Sequence, residues 1–468
     1  MKKKYIGVTI GPISETINLS SSPASLWMAS YLFSSLSREI CSILVSEYQV
    51  PKEDILSPYF DPDRAEVPGV GLYHDRIILR AGTFPIAQFA QVKAKAIARM
   101  ADEFALDGAY LKEFLMVSAA EFEAENPVME SGPVLDNLEL ARTFILTETE
   151  NSIAGANNAK IKKLPMAVQW GSAWQLLNQK GNIRSLPEIS AAGMSDNLKK
   201  RNYYAIVRSD GDNMSRIIGP LRDTDAVRSF SSDCLEYCRE MASCVASFDG
   251  MTIYAGGDDL LAILPCEDGQ GRSVLEFVQA ANEIFSNQFK KYGKETSLSF
   301  GIEICHKKFP LYEALEQSAQ LLFGVAKSTK NAVALRLQKH AGQSEGLVIS
   351  HAVLGQVIDL QKRVTTRTDE DVLLSALYKI AQFQVAFNTC REVWEVRNLF
   401  CNTFDADAHE GNEFLKSVLP EFFEECIRDG NIMALTDNGV EEDKALTLGY
   451  LLRLMKFYTE EGGEEDAG

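Results

Sequence analysis

The 468-residue sequence predicts an α+β protein, and three observations lead there. Between Tyr203 and Leu337, strand and helix patterns follow one another as β-α-β-β-α-β, the ferredoxin-like order. Two apolar runs, Met251–Ala255 and Leu260–Leu264, flank Gly256-Gly257-Asp258-Asp259, which reads as a β-hairpin carrying two adjacent carboxylates at its tip. From Glu345 to Phe457 apolar residues recur at helical spacing, which predicts a helical region.

Taken in order, Tyr5–Ile10 is a strand ending at Gly11-Pro12, and Leu26 to Leu44 is a helix rich in small residues that include Ser30 and Ser34. Ile55 to Val70, with several prolines and aspartates, reads as a loop. A turn and strand over Gly71–Leu79 and an amphipathic helix from Pro85 to Phe104 come next. Leu115–Ala119 reads as a strand and Leu135–Leu146 as a helix. Thr147 to Asn202 is a connector with some helix, holding Trp170 and Trp174. The ferredoxin-like unit then runs through strand Tyr203–Arg208, helix Asp225–Ala246, the hairpin, helix Ser273–Tyr292, strand Ser297–Cys305, helix Tyr312–Ser328 and strand Ala332–Leu337. Beyond it, helices are expected over Ala376–Val396 and Leu446–Tyr458, and the acidic tail 459–468 is expected to be disordered.

Composition narrows the function. A chain with 46% hydrophobic and 24% charged residues folds, and its length suggests two to four domains. A net charge of −18 argues against a broad nucleic-acid surface, because phosphate backbones are held mainly by Lys and Arg. RNA contact would be local or made through partner subunits. The conspicuous basic clusters, Lys160-Ile161-Lys162-Lys163 and Lys199-Lys200-Arg201, are explained by solvated loops at least as well as by local RNA contact. The nine cysteines form no Cys-x-x-Cys pair, as expected of reduced thiols in a cytoplasmic protein without a zinc site. No window is long and apolar enough for a membrane span, so no membrane partner is expected. His74-Asp75 is no metal phosphohydrolase signature, since five histidines in the whole chain are too few.

The chemistry lies in two acidic clusters. Strand Tyr203–Arg208 delivers Ser209-Asp210-Gly211-Asp212-Asn213-Met214 at its C-terminal end, and the ferredoxin-like order sets that end beside the hairpin tip. Asp210 and Asp258 then share a pair of metal ions, the palm arrangement of polymerases and nucleotidyl cyclases, in which metals about 4 Å apart serve a 3′-hydroxyl and a triphosphate. Mg²⁺ or Mn²⁺ suits oxygen ligands. Neighbouring strand residues point to opposite faces, so Asp258 and Asp259 need not share one task. Gly256 and Gly257 let a triphosphate approach the backbone.

These residues resemble the large palm-domain subunit of type III CRISPR RNA-guided effector complexes, closest to the type III-B form. The resemblance rests on Gly11-Pro12-Ile13, Leu26–Ser34, Ser185-Leu186-Pro187-Glu188-Ile189, Tyr204–Met214, the Gly256–Asp259 hairpin, Ser299–Ile304 and Ala326-Lys327. It implies two ferredoxin-like palm domains plus a C-terminal helical domain: a degenerate first palm over 1–150, a connector over 151–202, a second palm over 203–344 and the helical domain over 345–458. It implies a nucleotidyltransferase that makes an adenylate messenger from ATP when target RNA binds, with S-adenosylmethionine as a co-substrate in some related systems. Asp210, Asp258 and Asp259 would be the catalytic metal ligands; Gly256, Gly257 and Gly211 would lie against metal and triphosphate. Lys327 would face phosphates, Asp212 would support the site or cap a helix, and Ser30 and Ser34 would sit near an adenine or ribose. Partners would be other protein subunits, with CRISPR RNA and target RNA reached largely through them.

Two departures from the family accompany the resemblance. The given sequence is expected to open at the first palm with no histidine-aspartate nuclease domain, so single-stranded DNA cleavage is not expected of it, and its connector carries no zinc-binding cysteines. A diguanylate cyclase, which shares the palm, is a competing reading, weakened by Asp259-Leu260 where that family carries Glu-Phe. A catalytically silent scaffold is the non-enzymatic one.

Overall fold

A computed structural model describes residues 2–63, 72–82, 84–140, 177–192, 199–293, 296–339, 344–367, 370–404 and 413–459. Strand β1 (Lys3–Gly11) turns Ile6, Val8 and Ile10 into a core shared with helix α1 (Pro23–Ser46). That helix starts in a capping box in which Ser22 and Ser25 exchange side-chain to backbone hydrogen bonds, and Pro23 follows where a missing N–H costs nothing. Strands β2 (Ile55–Ser57) and β3 (Arg76–Arg80), helix α2 (Phe89–Phe104), strand β4 (Met116–Ala124) and helix α3 (Pro127–Leu140) complete the first unit. Its antiparallel sheet has the order β2-β3-β1-β4, the ferredoxin-like arrangement. The segment read as a loop thus opens with a strand, since three edge residues are too few to show alternation. Helix α3 begins at Pro127, upstream of the expected Leu135, while residues 141–146 lie outside the described residues.

The second unit follows with β5 (Tyr203–Gly211), α4 (Thr224–Ser247), β6 (Met251–Gly256), β7 (Asp259–Pro265), α5 (Val274–Phe289), β8 (Leu298–His306), α6 (Leu311–Ala319) and β9 (Ala332–Gln338). Strand β5 is central, paired antiparallel with β7 and β8. Ala205 and Val207 pack toward α4 and α5, whereas Tyr204 and Ile206 join the core of the first unit, so the strand is apolar on both faces. Between α6 and β9 the expected helix loosens into a π-helical stretch, Gln320–Ala326. Gly301 of β8 lies beneath it, where a Cβ would stand 2.4 Å from Ser318 O and Leu322 N.

The region expected to be wholly helical carries three further strands. β10 (Ser344–Ser350), β11 (Ile432–Thr436) and β12 (Gly439–Glu441) extend the second sheet to eight strands in the order β12-β11-β10-β9-β8-β5-β7-β6. A short run such as Leu347-Val348-Ile349 fits helix or strand by periodicity alone, and the open edge of β9 decides for strand. The expected helix Ala376–Val396 is broken into α7 (Glu370–Gln382), α8 (Gln384–Thr389) and α9 (Val393–Thr403), because Glu392 and Glu395 form a capping box that starts a new helix. Helix α10 (Lys444–Thr459) closes the fold.

In the connector, Ser185-Leu186-Pro187-Glu188-Ile189 is a capped helical turn. Lys200 is buried rather than solvated: Nζ meets Glu267 Oε2 at 2.6 Å and donates to Tyr458 O at 3.2 Å. The cluster Lys160–Lys163, Trp170, Trp174 and residues 460–468 of the tail lie outside the described residues. All nine cysteines are free thiols. Among the described residues no helix is long and apolar enough to cross a membrane.

Candidate active site

Asp210 is the last residue but one of β5, and the β6–β7 hairpin brings two more carboxylates to it. Gly256 pairs with Asp259 as the last rung, leaving Gly257-Asp258 as a two-residue turn with φ +68° at Gly257, a conformation that favours glycine. One oxygen each of Asp210, Asp258 and Asp259 lies within 4.8 Å of the others. Asp258 belongs to the turn and Asp259 opens β7, and only Asp259 reaches the cavity wall between the two units.

The closeness of strand end and hairpin depends on Gly211. A Cβ there would stand 2.7 Å from Asp258 Oδ2 and 2.9 Å from Met214 Cγ and Phe285 Cζ. Burial, and then the charge of Asp210, raises the pKa of Asp258; burial and the charges of Asp258 and Asp210 raise that of Asp259. Three hard oxygen donors forced together at this cost fit a divalent cation such as Mg²⁺ or Mn²⁺.

Lys327 and Asp212 brace the same strand end. Lys327 Nζ pairs with the Asp210 carboxylate, lies 3.2 Å from Asp212 Oδ1, and donates to Gly211 O at 2.7 Å. Burial opposes its charge, but the bond to Asp210 and the neighbouring carboxylates outweigh that and raise its pKa. Asp212 is fully engaged, accepting from Ser297 Oγ (2.8 Å), Ser299 Oγ (2.9 Å) and Asn331 N (2.8 Å). Asn213, not Asp212, precedes the short helix Met214–Ile218, so Asp212 supports the site and caps no helix. Ser297, Ser299 and Asn331 were not foreseen as partners of Asp212, although Ser299 opens a stretch that carries the resemblance.

A cavity of about 260 Å³ opens between the two units beside this centre. Ser30 and Ser34 of α1 line it, as do Arg208 and Asp259. Among the described residues Ser30 Oγ is buried without a hydrogen-bond partner, and Ser34 Oγ accepts from Tyr73 N at 3.3 Å. Tyr73-His74-Asp75, at the hairpin position of the first unit, forms another wall. His74 Nε2 lies 2.9 Å from Ser57 Oγ, and burial lowers its pKa to about 4, so it is neutral. Gly256, Gly257, Gly211 and Lys327 stay off the cavity wall.

Two facing ferredoxin-like sheets, one carrying three convergent carboxylates, define a palm-domain protein of the nucleotidyl-cyclase and polymerase type. Residues 203–334 match the model of the Cas10/Cmr2 second palm domain, and residues 5–106 that of the CRISPR-associated protein Cmr2 N-terminal region. The chain belongs to this Cas10/Cmr2 family of type III CRISPR systems. The CRISPR system Cmr subunit Cmr2 of Pyrococcus furiosus is 34% identical over 170 aligned residues, which take in 30% of this chain and 19% of that protein. Among solved structures, the chain is similar to one in the apo type III-B Cmr-beta cryo-EM structure, with TM-score 0.64, 12% identity, and 97% and 81% of the two chains covered. It is also similar to one in the Csm1–Csm4 cassette in complex with cA4, with TM-score 0.60, 11% identity, and 98% and 70% covered. The same cassette has been solved with one ATP, with pppApA and with AMPPNP.

Proposed function

We propose that this chain is a metal-dependent nucleotidyltransferase that joins ATP-derived adenylates into a second messenger, within an RNA-guided type III antiviral complex in the cytoplasm. The convergence of Asp210, Asp258 and Asp259 beside the cavity carries the reading, and the nucleotide complexes of the Csm1–Csm4 cassette support it. Mg²⁺ or Mn²⁺, held by the three carboxylates, would polarise the reacting phosphate and stabilise the leaving pyrophosphate. The cavity of Ser30 and Ser34 holds one nucleoside, and the open Gly257 turn admits phosphates. The 3′-oxygen of one nucleotide bonds to the α-phosphorus of the other, the α–β phosphoanhydride bond breaks, and pyrophosphate leaves. Asp258, at the tip of the hairpin beside Asp210, takes the hydroxyl proton. Lys327 holds Asp210 in place and lends positive charge beside the phosphates. Other protein subunits would present CRISPR RNA and target RNA to this acidic chain.

Mass spectrometry of products formed from ATP with Mg²⁺ or Mn²⁺, with and without S-adenosylmethionine, tests this. The assembled complex with matched target RNA is compared with its Asp258→Ala, Asp259→Ala variant. Cyclic oligoadenylates, or an S-adenosylmethionine–AMP conjugate, that vanish in the variant are expected. No ATP-derived product from a complex that binds its target would leave a scaffold, and a GTP-derived dinucleotide would favour the diguanylate cyclase reading.

A further inference from the structure

Arg208 is a charged residue that the site described so far does not use. It lies on β5 two residues before Asp210, and alternation along the strand sets the two on the same face, roughly 7 Å apart along the chain. Its Nε donates to Ser318 Oγ at 3.2 Å, which fixes the plane of the guanidinium. Among the described residues the two terminal nitrogens make no hydrogen bond and no ion pair, yet the side chain lines the cavity between the palms. A guanidinium carries five donors, and leaving them unmet beside apolar walls such as Phe33, Leu261 and Phe323 is costly. Asp259 is the one member of the carboxylate trio on the cavity wall, and Lys327 is off it. Phosphates drawn to the trio and the glycine turn lie beside Asp259, whose charge also acts on the Arg208 guanidinium, and the base of a nucleotide that fills the cavity lies within reach of Arg208.

We propose that Arg208 is a specificity-determining residue that donates to an acceptor ring nitrogen on the purine base of the nucleotide held between the palms. The inference rests on the nucleotide-binding reading above. Apolar walls suit a flat base, and a purine offers N1, N3 and N7 as acceptors to a donor-only side chain. Ser318 acts as a positioning residue, through its bond to Nε.

The test is equilibrium binding of ATP and of its 1-, 3- and 7-deaza analogues to the full chain with Mn²⁺, in wild type, Arg208→Ala and Arg208→Lys. Both variants are expected to bind ATP about tenfold more weakly or worse, the loss typical of a hydrogen bond from a charged donor. One deaza analogue should bind the wild type as weakly as ATP binds the variants, and should lose nothing further in them. Strictly additive losses for all three analogues, or non-additivity with 2′-deoxy-ATP instead, would overturn the assignment. So would a change in Mn²⁺ affinity with unaltered ATP affinity, which would make Arg208 a counter-charge to Asp259. Should Arg208→Ala melt early, Arg208→Lys, which keeps charge and stem, carries the comparison. A wild-type chain that binds no nucleotide overturns this inference and the nucleotidyltransferase together, whereas unaltered ATP binding in both variants overturns this one alone.

Discussion

Glu303 on β8 is fully buried, and among the described residues neither of its carboxylate oxygens has a hydrogen-bond partner. Burial raises its pKa to about 8 against the lowering effect of Arg336, its register partner on β9. The folded chain thus keeps a proton up to about pH 8 that the unfolded chain releases near its ordinary 4.5, so stability falls as pH rises through that window. Glu303→Gln is expected to raise stability by a few kcal/mol at pH 8 and to leave it nearly unchanged at pH 4; urea unfolding at both values checks this, and an equal shift at both would refute it. At Gly211 the outcome is opposite. Gly211→Ala forces a methyl against Asp258 and Phe285, with an expected cost of about 1–3 kcal/mol and Mn²⁺ affinity lowered by at least tenfold. Calorimetry with Mn²⁺ reads both. The three acids were legible because paired carboxylates beside glycines are a marked pattern. Glu303 and Arg208 were not, since in sequence each is an ordinary charge within a strand.

At the scale of elements, Lys200 shows how a short basic run misleads. The ammonium is held by Glu267 after β7 and by the carbonyl of Tyr458 on α10, so it ties connector, palm and last helix together. Lys200→Met leaves Glu267 unpaired and is expected to cost about 3 kcal/mol, while Lys200→Met with Glu267→Gln should recover most of that. Thermal unfolding of the two proteins decides it, and equal losses would mean that the pair is not coupled. The π-helical turn at Gln320–Ala326 sits on Gly301, which brings its backbone against the sheet and Lys327 to the end of β5. Hydrophobic spacing foretold a helix there, but the closeness allowed by one glycine on another strand decided its form. The same reason hid β10 to β12, whose short runs became strands because β9 had a free edge.

At the scale of the whole molecule, the two palms share a core. Ile206, Ile253 and Leu261 of the second pack with Leu26, Ala29 and Phe33 of the first. Arg228 of α4 crosses between them, donating to Ile55 O at 2.5 Å and Phe60 O at 2.7 Å with its guanidinium 4.5 Å from the Tyr59 ring centre. Arg228→Ala is expected to lower stability by about 2–3 kcal/mol and to weaken ATP binding, because the cavity exists only where the palms meet. Calorimetry paired with ATP titration checks it, and unchanged ATP affinity would refute the dependence. By itself the sequence determined the second ferredoxin-like unit, the glycine-bordered acids and the bias toward a divalent cation, since strand alternation, turn chemistry and charge are local properties of the chain. Only the tertiary structure decided that Ser297, Ser299 and Asn331 hold Asp212, that Lys327 pairs with Asp210 rather than lining the cavity, and that Arg208 faces that cavity with Ser30. Those relations join residues far apart in the chain, and they follow from which sheet faces and edges remain to be covered once the local elements have formed.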